Sequence, residues 1–234
     1  MTAPRSIGWL RATWVLAAKD LQLELRTKDT LASSLVFSLI VVVAFAFAFG
    51  VGAVRELGAG RILPGILWTV LFFATVVAMN RGATIEQRHG LQRAILASPV
   101  DRSSVYLGKA LANLVKLGLL QAVLVPAVAV LFAIDLHGAV GPLAAVLLLH
   151  GVGLVALGTL LGAMAVRLGR GEALLVTLLF PTATPIMLSA VTCTAAVLDG
   201  RPLASVGRWL VVTAGFDVLY ILVSLLTFEW VLEE

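Results

Sequence analysis

The stretch that decides the fold is polar: Arg81–Tyr106, RGATIEQRHGLQRAILASPVDRSSVY, set between two long apolar runs. It carries Arg81, Glu86, Arg88, His89, Arg93, Asp101 and Arg102. Its middle reads as a short amphipathic helix. Ile85, Leu91, Gln92, Ile95 and Leu96 gather toward one side, while Glu86, Arg88, His89 and Arg93 supply charge. Gly90 interrupts this helix, and Ser98-Pro99 ends it, because the residue before a proline is biased away from helix. Two readings are open for such a segment. It is a docking element for a soluble partner, or a solvated loop that only sets orientation.

Outward from it the chain reads as membrane. Of 234 residues, 60% are hydrophobic and 13% charged, with a mean hydropathy of +1.04. A soluble domain has roughly 25% charged residues and no core able to hide so much apolar surface. The apolar runs are helix-length rather than the alternating ten-residue segments of a barrel. The fold class is therefore an all-α polytopic membrane protein. Spans are expected at about 31–53, 62–79, 107–134, 141–166, 173–198 and 206–231. Short connections at Val54–Arg61 and Arg167–Glu172 join antiparallel neighbours. No linker, low-complexity segment or inverted repeat divides residues 1–234, so a single domain is expected.

Before the first span, residues 7–29 form an amphipathic pattern. Leu10, Trp14, Ala17, Leu21 and Leu25 make a helical stripe, and Asp20, Glu24 and Lys28 fall on a separate polar line. With Trp9 and Trp14 at headgroup level, this predicts an interfacial helix lying along the membrane. Charges as far as Lys28 and Asp29 argue against a signal peptide. With the N-terminus inside, twelve Lys and Arg fall on the cytoplasmic side and four (Arg55, Arg61, Arg201, Arg208) outside. That asymmetry predicts both termini in the cytoplasm. Trp209 and Trp230 bracket the last span as interface anchors. The +4 net charge resides in loops and does not indicate a nucleic-acid partner.

Little in the sequence could be catalytic. The nearest approach to a phosphate-binding loop, Leu107-Gly108-Lys109-Ala110, lacks the upstream glycine and the following Ser or Thr. His89, His137 and His150 fall in three different regions and form no ligand pair. Cys193 is the single cysteine and sits in an apolar run, as a core residue would. The remaining candidates are polar groups at membrane depth, which are costly there and tend to be functional. Lys116 either snorkels to the cytoplasmic interface or faces a pathway. His150 is a hydrogen-bonded core histidine or a substrate contact. Asp217, a turn from Tyr220, should face the bundle interior, with Lys116 or Thr213 as candidate partners. In Phe180-Pro181-Thr182-Ala183-Thr184-Pro185, two prolines remove helix donors, and the Thr182 and Thr184 hydroxyls can satisfy freed carbonyls. This piece is either a gating, pathway-lining break or a static kink. Gly151, Gly153, Gly158 and Gly162 allow close helix approach in the fourth span.

These pieces in this order resemble one family. LELRTKD leads into DTLASSLVFSLIVVVAFAFAF, and a second span precedes IEQRHGLQRAILASPVDRSSVYLGK. Lys19-Asp20-Leu21, Glu24-Leu25-Arg26 and Glu86 through Pro99 are the most telling parts. Over essentially the whole chain this looks like the CcmB family, the permease of the cytochrome c maturation ABC system. The resemblance implies a type-2 (ABC-2) exporter architecture, in which the loop after the second span docks on an ATPase. Glu86, Arg88 and Arg93 would then supply charge complementarity, and Leu91, Ile95 and Leu96 buried anchors, within a segment shaped by Gly90 and Pro99. It also implies a CcmA-like ATPase carrying the ATP and Mg, CcmC-like and CcmD-like membrane subunits, a CcmE-like haem chaperone, and two permease copies. No cofactor is expected on this chain itself, and haem is its implied substrate. The localisation implied is a bacterial inner membrane. An ABC-2 permease for a lipid, glycan or drug is the alternative within the class. A haem-binding redox subunit or a membrane-embedded enzyme are alternatives outside it.

Overall fold

The computed structural model describes residues 8–27, 29–88, 101–167 and 171–233. Among the described residues every regular element is helical: α1 (Trp9–Thr27), α2 (Asp29–Leu57), α3 (Ala59–Arg88), α4 (Arg102–Leu131), α5 (Val140–Arg167), α6 (Gly171–Leu198), a 3-10 turn (Leu203–Val206) and α7 (Gly207–Glu233). Six apolar segments are long enough to cross a membrane: Thr30–Gly50, Ala59–Met79, Arg102–Leu131, Val140–Ala165, Thr177–Leu198 and Leu203–Phe228. The protein is a multi-pass membrane protein.

Two helices form the interior. The spans of α3 and α5 are 67% and 72% buried, whereas those of α2 and α7 are 17% buried. The sequence shows why. Lipid is as apolar as leucine, so helices associate through close packing and hydrogen bonds rather than through hydrophobicity. The glycines of α5 provide the closeness. A Cβ at Gly151 would crowd Leu117 of α4, one at Gly153 would overlap Asp217 of α7 and Ile186 of α6, and one at Gly158 would overlap Met79 of α3. The small-residue stripe thus seats four neighbouring helices around α5. On α2, Thr30, Ser34, Ser38 and Val42 recur every four residues and face inward, while Val36, Ile40, Val43 and Phe47 face out.

Two boundaries differ from the sequence expectation. The connection at Val54–Arg61 is mostly helical: α2 turns sharply at Gly50 (φ 66°, ψ 167°) and continues to Leu57, and Gly58 (φ 92°) then starts α3. Both glycines adopt the left-handed region that side chains avoid. The polar stretch Arg81–Tyr106 is also not a separate element throughout. The α3 backbone runs on through Glu86 to Arg88, and Arg102–Tyr106 are the first turn of α4. Residues 89–100, which include Gly90, Leu91, Arg93, Ile95, Leu96 and Pro99, lie outside the described residues.

Candidate functional site

The amphipathic α1 packs lengthwise on the start of α4. The absence of a Cβ at Gly108 lets Leu16 and the Thr13 carbonyl of α1 approach closely. Leu10, Trp14 and Leu25 are exposed, as an interfacial helix requires, but Ala17 of the expected stripe is buried. A clip fastens the tip of α1. The Trp9 indole nitrogen donates to Ser103 Oγ at 2.9 Å, and Ser103 in turn donates to Asp101 through its hydroxyl and, at 2.8 Å, through its backbone N–H. Asp101 is the N-cap of α4. The hydroxyl and backbone hydrogen bonds from Ser103 hold its carboxyl below the usual carboxylate range. At the other end of α1, the nearly buried Glu24 accepts from the Leu31 N–H at 2.8 Å and so caps α2. The α1 helix is thus tied to the first turns of two spans. One of those, α4, is the helix into which segment 89–100 leads.

Deeper in the bundle, His150 is fully buried. Its Nδ1 lies 2.7 Å from the Val146 carbonyl oxygen. A carbonyl can only accept, so Nδ1 carries the proton and Nε2 is the acceptor. Ser189 Oγ and Thr213 Oγ1 lie 3.0 and 3.1 Å from Nε2, and Thr213 Oγ1 is 2.6 Å from Ser189 Oγ. Ser189 also reaches the Trp209 carbonyl at 3.0 Å. The His150 ring packs on Trp68, whose indole nitrogen donates to Thr194 Oγ1 at 2.8 Å. One node therefore joins α3, α5, α6 and α7. Both imidazole nitrogens are occupied, so His150 in this arrangement offers no open ligand position. Cys193 lies in the same buried core.

The other candidates are dispersed. Asp217 faces the interior, 5% exposed, against Gly153 and Ile186, and its Oδ1 has no hydrogen-bond partner among the described residues. Thr213, a turn before it, is engaged in the node. Helix α6 continues through Pro181 and Pro185. Thr182 Oγ1 donates to the Leu178 and Leu179 carbonyls and Thr184 Oγ1 to that of Phe180, adjacent to the Thr177 and Pro181 carbonyls that the prolines free. The Tyr220 hydroxyl donates to the Thr182 carbonyl, tying α7 to this piece. Pro181, Thr182 and Thr184 are exposed at the bundle surface. Lys116 lies further along its helix than expected, because α4 begins at Arg102 rather than near Leu107. It is about 21 Å from the start of α4. There it lines a narrow, partly open pocket of about 20 Å³ between α2, α3 and α4, together with Ser34, Thr75 and Asn113.

This architecture accompanies a clear relationship. The model of the CcmB protein family matches residues 11–233. The chain belongs to the CcmB family. Three relatives bear the name Heme exporter protein B. That of Rhodobacter capsulatus is 34% identical over 74% of this chain and 78% of its own. That of Bradyrhizobium diazoefficiens is 28% identical over 82% and 84%, and that of Pseudomonas aeruginosa 28% identical over 84% and 86%.

Sequence reasoning singled out His150, Asp217 and Lys116 but not their surroundings. Ser189, Thr194 and Trp68 are ordinary span residues in one dimension, and Thr213, expected as a partner of Asp217, meets His150 and Ser189 instead. The Thr30–Ser34–Ser38 stripe was detectable, since three hydroxyl residues at four-residue spacing mark one helix face.

Proposed function

We propose that this CcmB-family chain is the permease subunit of an ABC haem exporter serving cytochrome c maturation in a bacterial inner membrane, with both termini cytoplasmic. ATP hydrolysis then resides on a separate CcmA-like ATPase, with its Mg. CcmC-like, CcmD-like and CcmE-like proteins complete the pathway, and two permease copies form the translocation unit. The names of the relatives support the substrate. One structural observation supports the coupling: α3 runs on from the end of its apolar span at Met79 to Arg88, and α4 starts at Arg102, so these two helices lead into and out of segment 89–100. A permease without a nucleotide cradle needs such a lever if hydrolysis elsewhere is to bias its two states.

The lever has a defined route inward. A push on segment 89–100 acts on Asp101 and the first turn of α4, which carries α1 with it through Ser103 and Trp9. The same helix bears Asn113 and Lys116 in the cavity wall. Displacing α4 therefore changes that cavity directly.

The test is affinity purification of the tagged chain with its genomic partners, wild type against Leu91→Asp. The wild type is expected to bring down the ATPase, and the variant to lose it while remaining monodisperse. Equal ATPase recovery from both overturns the docking assignment.

A further inference from the structure

We propose that the outward face of α1 is a binding surface for anionic phospholipid headgroups, with Arg11 and Arg26 as its phosphate contacts. Two stripes of equal spacing run along this face. Leu10, Trp14, Leu21 and Leu25 form an apolar ridge, on which Trp14 is 68% exposed and only Leu21 is half-buried. Arg11, Val15, Gln22 and Arg26 repeat that spacing one residue later, about 100° further around the helix. All four of these are exposed. The remaining side of α1 is packed: Ala12, Ala17 and Glu24 are buried, and Leu16 meets Gly108 of α4. What faces outward is therefore amphipathic in its own right, a ridge suited to the acyl boundary beside a basic flank at headgroup depth.

The charge on that face is one-sided. The ionisable side chains of α1 are Arg11, Lys19, Asp20, Glu24 and Arg26. Both acids are engaged elsewhere. Asp20, its side chain 14% exposed, pairs with Lys19 at 3.0 Å, and Glu24 turns inward to accept from the Leu31 N–H. Arg11 and Arg26 enter no ion pair among the described residues, so two guanidinium groups share the outward face with no carboxylate. Arg26 also complements the C-terminal end of the helix dipole, but Arg11 in the first turn opposes it and gains nothing from the helix itself. A guanidinium matches a phosphate through parallel N–H donors. The two lie about 22 Å apart along α1, so they meet separate lipids and need no common pocket. The location fits: the Trp9–Ser103 and Glu24–Leu31 hydrogen bonds hold α1 at the end of the bundle where α4 and α2 begin. A zwitterionic lipid brings its own ammonium beside the phosphate, so an anionic headgroup is the better partner for this flank. The surface does not rest on the function proposed above.

The experiment uses the full chain in phosphatidylcholine nanodiscs with graded phosphatidylglycerol, comparing wild type, Arg11→Gln, Arg26→Gln and the two together. A control variant, Arg55→Gln with Arg208→Gln, removes the same charge at two exposed arginines away from α1. Native mass spectrometry counts the lipids retained, and the thermal unfolding midpoint is recorded for each variant. Each α1 substitution is expected to lower phosphatidylglycerol affinity about fivefold, with phosphatidylcholine retention and the midpoint unchanged. A wild-type lipid preference in the paired α1 variant overturns the proposal. So does an equal loss in the control, which would make the preference a property of net charge alone. A second readout asks what covers the ridge. Trp14 emission, taken as the difference between wild type and Trp14→Phe, is expected to be quenched more by brominated phosphatidylglycerol than by brominated phosphatidylcholine. Equal quenching by both overturns the headgroup preference. Quenching by neither shows a protein surface over the ridge and overturns the lipid surface altogether.

Discussion

Two polar regions sit inside this bundle, and they differ in completeness. In the node around His150, every polar group named has a partner: the ring nitrogens, Ser189, Thr213 and the Trp68–Thr194 pair. In the α2 face and the cavity beside it, the hydroxyls of Thr30 and Ser34 have none among the described residues. In a low dielectric a satisfied network rigidifies, while an unsatisfied group is expensive. A protein that keeps such a group at membrane depth is retaining it for something else. The node thus reads as a clamp among α3, α5, α6 and α7, and the inward face of α2 as the less completely matched contact of the bundle. Asp217 stands between the two, one turn from the node yet with Oδ1 unmatched.

The largest effect that can break this contrast comes from His150→Ala. It removes a fully buried ring from Trp68 and leaves a cavity, while Ser189 still donates to the Trp209 carbonyl and Thr213 to Ser189. A loss of about 2–4 kcal/mol is expected. The thermal unfolding midpoint in nanodiscs should fall clearly, while haem affinity of the folded fraction stays unchanged. Intact stability with lost haem binding would turn the clamp into a ligand site. Asp217→Asn comes next, with the opposite sign. Replacing an unmatched carboxylate by its neutral isostere is expected to stabilise by about 1 kcal/mol. Cytochrome c yield in a complemented deletion strain then reads the function: a more stable protein with reduced yield marks Asp217 as retained for activity. A destabilised variant would instead reveal a partner for the carboxylate.

The sequence yields the architecture readily and the site only in outline, for a physical reason. A span announces itself through some twenty consecutive apolar residues, a signal no local exchange can erase. All six expected spans are present, the shifts confined to their ends. The helix before the first span is legible because Leu10, Trp14, Ala17, Leu21 and Leu25 recur at helical spacing. Partnerships across helices leave no such trace. That His150 meets Ser189 and Thr213 depends on the rotation of α5, α6 and α7, which the glycines of α5 set by letting neighbours close in. The start of α4 was expected later in the chain because Arg102-Ser103-Ser104 reads as loop. The Asp101 cap and the Trp9 contact draw those residues into helix instead. The two prolines of α6 were legible as residues that disturb a helix, but not that Pro181 is exposed and Pro185 half-buried.

The smallest expected effect lies at the edge of the lever. Asp101 is held below the ordinary carboxylate pKa by the hydroxyl and backbone hydrogen bonds from Ser103. The sign follows from linkage. A carboxyl whose folded pKa is depressed contributes stability that is present above its unfolded value, near 3.9, and is lost as pH falls through the folded value. Between about pH 5 and 8 the clip is therefore insensitive to acid, and below about pH 4 it weakens. Asp101 is exposed, so solvent screening keeps the contribution small. The check compares unfolding midpoints of wild type and Asp101→Asn from pH 3 to pH 7. A small difference is expected above pH 5, closing toward zero at the acid end as the wild-type carboxyl protonates. A difference that persists at pH 3 would show that the clip depends on the shape of the cap and not on its charge. Asn is itself a good N-cap, so the comparison isolates charge. If the midpoints coincide at every pH while ATPase recovery drops, Asp101 acts in the lever rather than in the fold, and the route from segment 89–100 into α4 gains direct support.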